Sequence, residues 1–133
     1  MPSNYAHYRF GIAALNDMPA MQKQLVSRHR ALYDVGLHGP DIFFFNNPVV
    51  RNRLGKLGSV FHKQSGEVFF GRVCRMLRLQ PSEGGYAYLC GVLCHYALDS
   101  VCHPFVNSHA SAGPCSHVEI ETEFDRYLLA SDG

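Results

Sequence analysis

Histidines and carboxylates spaced four residues apart are the most chemically informative feature of this sequence. His95 and Asp99 are separated by four positions, and His117 and Glu121 repeat that spacing. On a helix, such residues share a face with Cβ atoms about 5–6 Å apart, so each pair can clamp one ion or flank two. His103 lies four positions beyond Asp99. Imidazole nitrogen and carboxylate oxygen together suit zinc, with manganese or iron as alternatives.

The segment that must position His95 and Asp99 is predicted to be a helix over residues 84–102, apolar on nearly all sides. Such a helix belongs in a core, where a carboxylate is costly unless it is paired or bound to a metal. Asp99 is therefore the first strong indication of a functional site. Pro104 is predicted to end the helix, because proline cannot continue the hydrogen-bond ladder. Residues 105–115 are then predicted to form a loop.

The remaining sequence also favours helices. A helical pattern runs over 17–33, a short helix is predicted over 49–56, and apolar residues recur at helical spacing over 60–77. Ser116 is predicted to cap a last helix, which carries the second histidine–carboxylate pair. No stretch alternates at period two, so the sequence predicts an all-α fold.

Composition indicates one globular domain over residues 1–133. Apolar residues make up 47%, charged residues 17%, and the net charge of +1 gives no footprint for binding duplex nucleic acid. Five cysteines, an odd number, together with an N-terminus that lacks a leader pattern, indicate reduced thiols and a cytoplasmic location. The most apolar segment is interrupted by His95 and Asp99 and is shorter than a membrane span, so a soluble protein is expected.

Five motifs together resemble the bacterial zinc-dependent phospholipase C family, which shares its fold with secreted single-strand-specific zinc nucleases of fungi. In family order they are HYRFG at His7, GPDIFFF at Asp41, GSVFHKQSG at His62, HYALDSVCHPF from His95, and HVEIETEFDR from His117. They spread over nearly the whole chain. The resemblance implies a compact multi-helix bundle with a metal cleft between the helices, holding two to three zinc ions. The chain is shorter than typical members and has no tryptophan.

The resemblance also implies a set of ligands for each ion. The first zinc would be held by Asp41, His62, His95 and Asp99. The second would be held by His103, His117 and Glu121. The third would take His7, a shared oxygen of Asp99, and the amine and carbonyl of the mature N-terminus, which is Pro2 if Met1 is removed.

The activity implied by the resemblance is that of a phospholipase C-like phosphoric ester hydrolase, attacking phosphodiester bonds with a metal-bound hydroxide. Asp41 is the catalytic candidate for orienting the attacking water. The expected partners are a phospholipid or other phosphodiester and, transiently, a membrane surface. Three alternatives remain open: a single-strand nuclease, a phosphomonoesterase on the same tri-metal core, and a non-catalytic metal-binding helical protein.

Several further residues are candidates for supporting roles around the ligands. Glu119, Glu123 and Asp125 are candidates for hydrogen bonds to ligating histidines, although a solvated helix face is the more common role of such residues. The run Phe43, Phe44 and Phe45 is interpreted either as ordinary core or as the lining of a lipid or base pocket.

Overall fold

The computed structural model describes residues 4–44, 53, 56, 60 and 65–133. These residues contain α-helices and one short 3-10 helix but no β-strand, which confirms the predicted all-α fold. His62 and most of the predicted helix 49–56 lie outside the described residues. The elements are α1 (Asn4–Asp17), α2 (Ala20–Arg28), α3 (Arg30–Leu37), a 3-10 helix (Gly39–Phe44), α4 (Gly66–Leu79), α5 (Glu83–Ala112) and α6 (His117–Asp132).

Helix α5 is the centre of the fold, since each of the five other α-helices in the described part of the chain contacts it. It crosses α3 where two glycines meet. A Cβ atom on Gly91 would lie 2.2 Å from the Tyr33 carbonyl oxygen, and one on Gly36 would lie 2.3 Å from the Tyr88 carbonyl oxygen. Glycine at both positions therefore lets the two backbones touch, which brings the C-terminal half of α3 against the N-terminal third of α5.

The core between α1, α3 and α5 is organised around Tyr33, whose side chain is fully buried. Its hydroxyl donates to the Gly11 carbonyl oxygen at 2.7 Å and lies 3.4 Å from the Cys94 sulfur. Burial, together with the Cys94 thiol beside it, raises the pKa of Tyr33 well above its usual range. The phenol stays protonated and ties α1 to α3 and α5.

The prediction that Pro104 ends the central helix is wrong, because α5 continues to Ala112 with Pro104 inside it. An internal proline costs about 3 kcal/mol, through one lost hydrogen bond and a clash with the preceding turn. Contacts beyond the proline offset this cost: Val106 is buried, and Asn107 hydrogen-bonds His117. The predicted loop over 105–115 is therefore reduced to a short connection that begins at Gly113.

The pattern predicted as one helix over 17–33 forms two helices. The chain leaves helical geometry at His29, with φ −115° and ψ 36°, and α3 then continues to Leu37. His29 Nε2 lies 3.2 Å from a Glu83 carboxylate oxygen at the start of α5. This long-range contact accompanies the break, and the local apolar period gives no sign of it.

By length and composition, α5 is also the described helix that meets the criterion for crossing a membrane. The most apolar segment predicted from the sequence was shorter than a membrane span because it ended at Cys102, whereas the helix continues to Ala112. Core helices of helical proteins meet the same criterion, and α5 packs against the other helices while carrying His95, Asp99 and His103.

Candidate metal centre

The first cluster, named the inner triad, consists of His7, His95 and Asp99. One ligand atom from each lies within 4.8 Å of the others. His7 Nε2 is 3.2 Å from Asp99 Oδ1, and His95 Nε2 is 3.1 Å from Asp99 Oδ2. The two imidazole rings stack with centroids 4.1 Å apart, and both are buried. A side chain from α1 and a helical pair from α5 thus meet at one point.

Backbone packing orients His95. Its Nδ1 lies 3.0 Å from the Leu37 carbonyl oxygen, and a carbonyl can only accept, so Nδ1–H donates and Nε2 faces the triad. Metal-ligating histidines commonly use this outer hydrogen bond. Gly39 lies against the ring with a positive φ of 52°, and a Cβ there would be 2.4 Å from His95 Cδ2. Only glycine combines that φ with that approach at low cost.

Asp41 lies two residues after Gly39, on the 3-10 helix that begins at Gly39. Its side chain is 2% exposed, and its Oδ2 lies 3.6 Å from His95 Nε2. The 3-10 helix therefore places a buried carboxylate beside the inner triad.

His7 is positioned through the first turn of α1, which is capped by Asp125 from α6. The Tyr5 and Ala6 backbone N–H groups donate to Asp125 Oδ2 and Oδ1 at 3.0 and 2.8 Å. A carboxylate suits a helix N-terminus, where backbone N–H groups lack helical partners and the dipole is positive. His7 Nδ1 is buried without a hydrogen-bond partner among the described residues.

The second cluster, named the outer triad, consists of His103, His117 and Glu121, again with ligand atoms within 4.8 Å of one another. Glu121 Oε1 lies 2.8 Å from His117 Nε2 and 3.4 Å from His103 Nε2. The two histidine side chains are 30% and 34% exposed, far more than those of the inner triad. His117 Nδ1 lies 2.8 Å from the Asn107 side-chain oxygen, which leaves Nε2 directed toward Glu121.

Asp99 joins the two triads. Besides its contacts to His7 and His95, its Oδ1 lies 3.3 Å from His103 Nε2. Burial opposes its ionisation, yet hydrogen bonds from His7 and His95 hold its pKa well below the usual range. Burial likewise opposes ionisation of Glu121, but hydrogen bonds from His103 and His117 lower its pKa. The cluster therefore combines anionic carboxylate oxygens with imidazole nitrogens, a donor set that fits zinc.

The structure brings together seven of the eight residues predicted as ligands from the sequence. These are His7, Asp41, His95, Asp99, His103, His117 and Glu121. His62, the eighth, and Pro2 lie outside the described residues.

A cavity of about 590 Å³ opens onto this cluster, and His95, Asp99 and His103 belong to its lining. Such a volume is typical of small-ligand sites. Its walls are mainly apolar and aromatic, from Phe43, Phe69, Phe70, Tyr88 and Tyr96. Of the phenylalanine run, Phe43 thus lines a pocket, whereas Phe45 and the Phe44 side chain lie outside the described part of the chain.

The supporting residues differ from those proposed from the sequence. Glu119 forms a capping box with Ser116, Glu123 pairs with Arg126, and Asp125 caps α1. Among the described contacts, none of these three acids hydrogen-bonds a triad histidine. Asn107 and the Leu37 carbonyl do so instead. Asn107 gave no signal in the sequence, because it follows the proline that was expected to end the helix.

Comparison with known proteins is consistent with this geometry. A family model described as zinc dependent phospholipase C matches residues 6–132. The matched range includes every histidine and carboxylate of both triads. No curated protein and no solved structure matches the chain.

Proposed function

The chain belongs to the zinc-dependent phospholipase C family, and from this membership we propose that it hydrolyses phosphodiester bonds, with phospholipids as the favoured substrates. The observation that supports the proposal most directly is the position of Asp99. Its carboxylate contacts histidines of both triads and lines an apolar cavity large enough for a small ligand. A half-buried carboxylate whose pKa is lowered by neighbouring histidines, and which lines a cavity, is typical of a functional centre.

The residues proposed to hold zinc are the six residues of the two triads together with Asp41 and His62. In this assignment, Asp41, His62, His95 and Asp99 would hold the first ion. The outer triad would hold the second, and His7 with Asp99 would begin the third site, so the inner triad would serve the first and third ions. Bound zinc would polarise a phosphoryl oxygen and lower the pKa of a water molecule to about 7.

The chain's own side chains would have two tasks around these ions. Asp41 is our candidate for orienting the attacking water and accepting its proton at a carboxylate oxygen. Its near-complete burial and its position 3.6 Å from His95 Nε2 support a fixed orientation. The aromatic wall would bind the apolar part of the substrate and exclude water from the reacting phosphorus.

The apolar character of that wall favours a lipid, but aromatic rings also stack on nucleic-acid bases. A nuclease or a phosphomonoesterase on the same core is therefore the alternative activity, and a metal-binding protein without turnover is the alternative class. A cytoplasmic location also remains an expectation.

The test is to incubate the zinc-loaded protein in parallel with phosphatidylcholine micelles, single-stranded DNA and a simple phosphomonoester. We expect release of diacylglycerol and phosphocholine, with DNA and monoester left intact. Asp99→Asn is the control for metal-dependent turnover, and elemental analysis gives its zinc content. DNA cleavage without lipid hydrolysis would assign the nuclease activity, and full zinc loading without any hydrolysis would assign a binding protein.

A second readout does not depend on activity. Removing zinc leaves buried carboxylates and imidazoles around an empty centre, and metal binding then contributes to the folding free energy. We therefore expect a large fall in Tm in excess chelator. An unchanged Tm after confirmed zinc removal would contradict the assignment of these residues as ligands.

A further inference from the structure

Charge is distributed very unevenly along the chain, although the net charge is only +1. Seven of the twelve basic residues, but one of the eleven acidic residues, fall between positions 45 and 80. Helix α4 lies in this range and carries Arg72, Arg75 and Arg78. All three are exposed, and among the described residues none of them forms an ion pair. A local basic excess on an otherwise acidic chain indicates an anionic partner.

Helix α4 has a wide apolar side, and only part of it packs against the rest of the described structure. At about 100° per residue, its apolar side chains span an arc of roughly 200°, from Val68 and Leu79 through Met76 to Phe70. Residues at one end of this arc are half-buried, including Phe70, whose ring meets Tyr96 of α5 at a centroid distance of 5.5 Å. At the other end, Val68, Met76 and Leu79 are 42%, 67% and 77% exposed.

The exposed part of the arc adjoins the cavity. Phe69, Phe70 and Val73 of α4 line the cavity wall. On the helical projection, Met76 follows Phe69 directly, and Arg72 and Leu79 come next. The same helix therefore forms a wall of the cavity and presents a neighbouring surface of apolar side chains and arginines.

We propose that Val68, Arg72, Arg75, Met76, Arg78 and Leu79, named the α4 surface, dock the protein on an anionic lipid bilayer. Amphipathic helices that lie in a membrane interface combine an apolar face with basic residues in this way. Long arginine side chains reach the head groups while their stems lie along apolar surface. Exposed aliphatic side chains between the arginines favour a bilayer over a nucleic acid, which is bound through phosphate contacts and base stacking. The proposal rests on the proposed function, since docking at this surface places the cavity beside its lipid substrate.

The test is co-sedimentation of the full-length zinc-loaded protein with vesicles of phosphatidylcholine alone or containing phosphatidylserine. We expect stronger binding to the anionic vesicles. The triple variant R72Q/R75Q/R78Q should lose that preference, with binding weakened on the order of 100-fold, because each basic residue near an anionic surface contributes about fivefold. The charge-matched variant K23Q/R28Q/R126Q should bind like the wild type. M76S/L79S should weaken binding to both vesicle types by about tenfold or more.

Several results would overturn the proposal. One is equal binding of the two triple variants to anionic vesicles. Another is arginine-dependent binding to single-stranded DNA without vesicle binding, which would make the partner a nucleic acid. A third is that the wild type forms a dimer, M76S/L79S is a monomer, and neither protein binds vesicles. This result would make the partner a second copy of this chain.

A soluble short-chain phosphodiester separates this proposal from the proposed function. The α4 variants should hydrolyse it at the wild-type rate, since none of the substituted residues lines the cavity. If the wild type fails to hydrolyse it but still binds anionic vesicles through the arginines, the docking surface stands without the activity. If hydrolysis is normal and the vesicles do not bind, the activity stands without the docking surface.

Discussion

The inner and outer triads offer the same types of ligand atom but are built in different ways. The inner triad joins distant segments, and core packing holds its His95 ring, which hydrogen-bonds the Leu37 carbonyl and lies against Gly39. The two histidines of the outer triad are half-exposed, and the described contact that orients His117 is its hydrogen bond to the Asn107 side chain. Core packing therefore orients His95 of the inner triad before any ion binds, whereas the orientation of His117 in the outer triad depends on one side-chain hydrogen bond. We therefore expect zinc to leave the outer triad first under a chelator.

The largest expected effect comes from Asp99→Asn, which would break both triads at once. Asp99 contacts His7, His95 and His103, and its negative charge offsets that of the divalent ions. We expect zinc loss at both triads and a fall in phosphodiester turnover of more than about 100-fold, beyond the 10–100-fold typical of an outer hydrogen-bond partner. Zinc stoichiometry and turnover on a soluble phosphodiester are the measurements.

His7→Ala is the matched comparison, because His7 contacts Asp99 but belongs to the inner triad alone. It should cost less activity than Asp99→Asn and leave zinc at the outer triad. If His7→Ala were inactive while Asp99→Asn kept its zinc and near-normal turnover, the centre would have to be reassigned around the N-terminal site.

The next effect isolates the packing of the inner triad. In Gly39→Ala, the new Cβ would lie 2.4 Å from the His95 ring, at a φ of 52° that alanine rarely adopts. The backbone conformation alone costs about 1–2 kcal/mol, and displacement of the ring adds to it, so we expect a loss of about 2–4 kcal/mol in unfolding free energy. Urea denaturation of the zinc-free protein measures it.

Gly71→Ala is the control for that measurement. A Cβ on Gly71 meets nothing within 4 Å, and alanine inside a helix is favoured over glycine by about 0.5–1 kcal/mol. This variant should be neutral or more stable. A Gly39→Ala protein as stable as the wild type would show that the close packing at His95 is not a constraint.

Local spacing in the sequence predicts the helical pairs of both triads, because residues four apart on a helix share a face wherever the helix lies. His95 with Asp99 and His117 with Glu121 follow from this rule alone. The all-α fold and the cap at Ser116 are likewise local properties and are confirmed. The family resemblance added His7 and Asp41, which no spacing connects to the pairs, and the structure places both beside His95.

Features set by long-range contacts could not be predicted in this way. Pro104 lowers the local preference for helix, and contacts of Val106 and Asn107 outweigh it. Asp125 looks like a solvated acid in its own helix and becomes a cap only because α1 begins against it. The basic excess of residues 45–80 was present in the sequence, but a net charge of +1 conceals it.

A smaller effect is expected from Asn107→Ala, which should weaken zinc binding at the outer triad and leave the inner triad unchanged. Without the Asn107 oxygen, His117 loses the hydrogen bond at Nδ1 that orients its ring. Such outer partners typically contribute 10–100-fold to metal affinity, so we expect outer-triad zinc to bind more weakly by about that factor. Competition with a chromophoric chelator measures both affinities. Asn107→Asp should restore the affinity, and a change confined to the inner triad would contradict the assignment.

The smallest effect is expected at the far end of α6, where Asp132 accepts hydrogen bonds from Tyr5 and Arg9 of α1. Asp125 also connects α6 to α1, but at the turn that carries His7. Asp125→Ala should therefore lower the free energy of unfolding by about 1 kcal/mol, as loss of a helix cap does, and should weaken zinc binding at the inner triad. Asp132→Asn should lower Tm only slightly and leave both triads loaded with zinc, because its contacts are exposed and lie away from the triads.

The hydrogen bond from Arg9, followed by that from Tyr5, lowers the pKa of Asp132. Its contribution is therefore fully present above the ordinary aspartate pKa of about 3.9 and is lost as the pH falls through the lower folded-state value. The Tm difference between wild type and Asp132→Asn should accordingly be constant near neutral pH and shrink on acidification. Thermal melts of the zinc-free proteins across that range test this, and a difference that grows on acidification would show that another group couples the two helices.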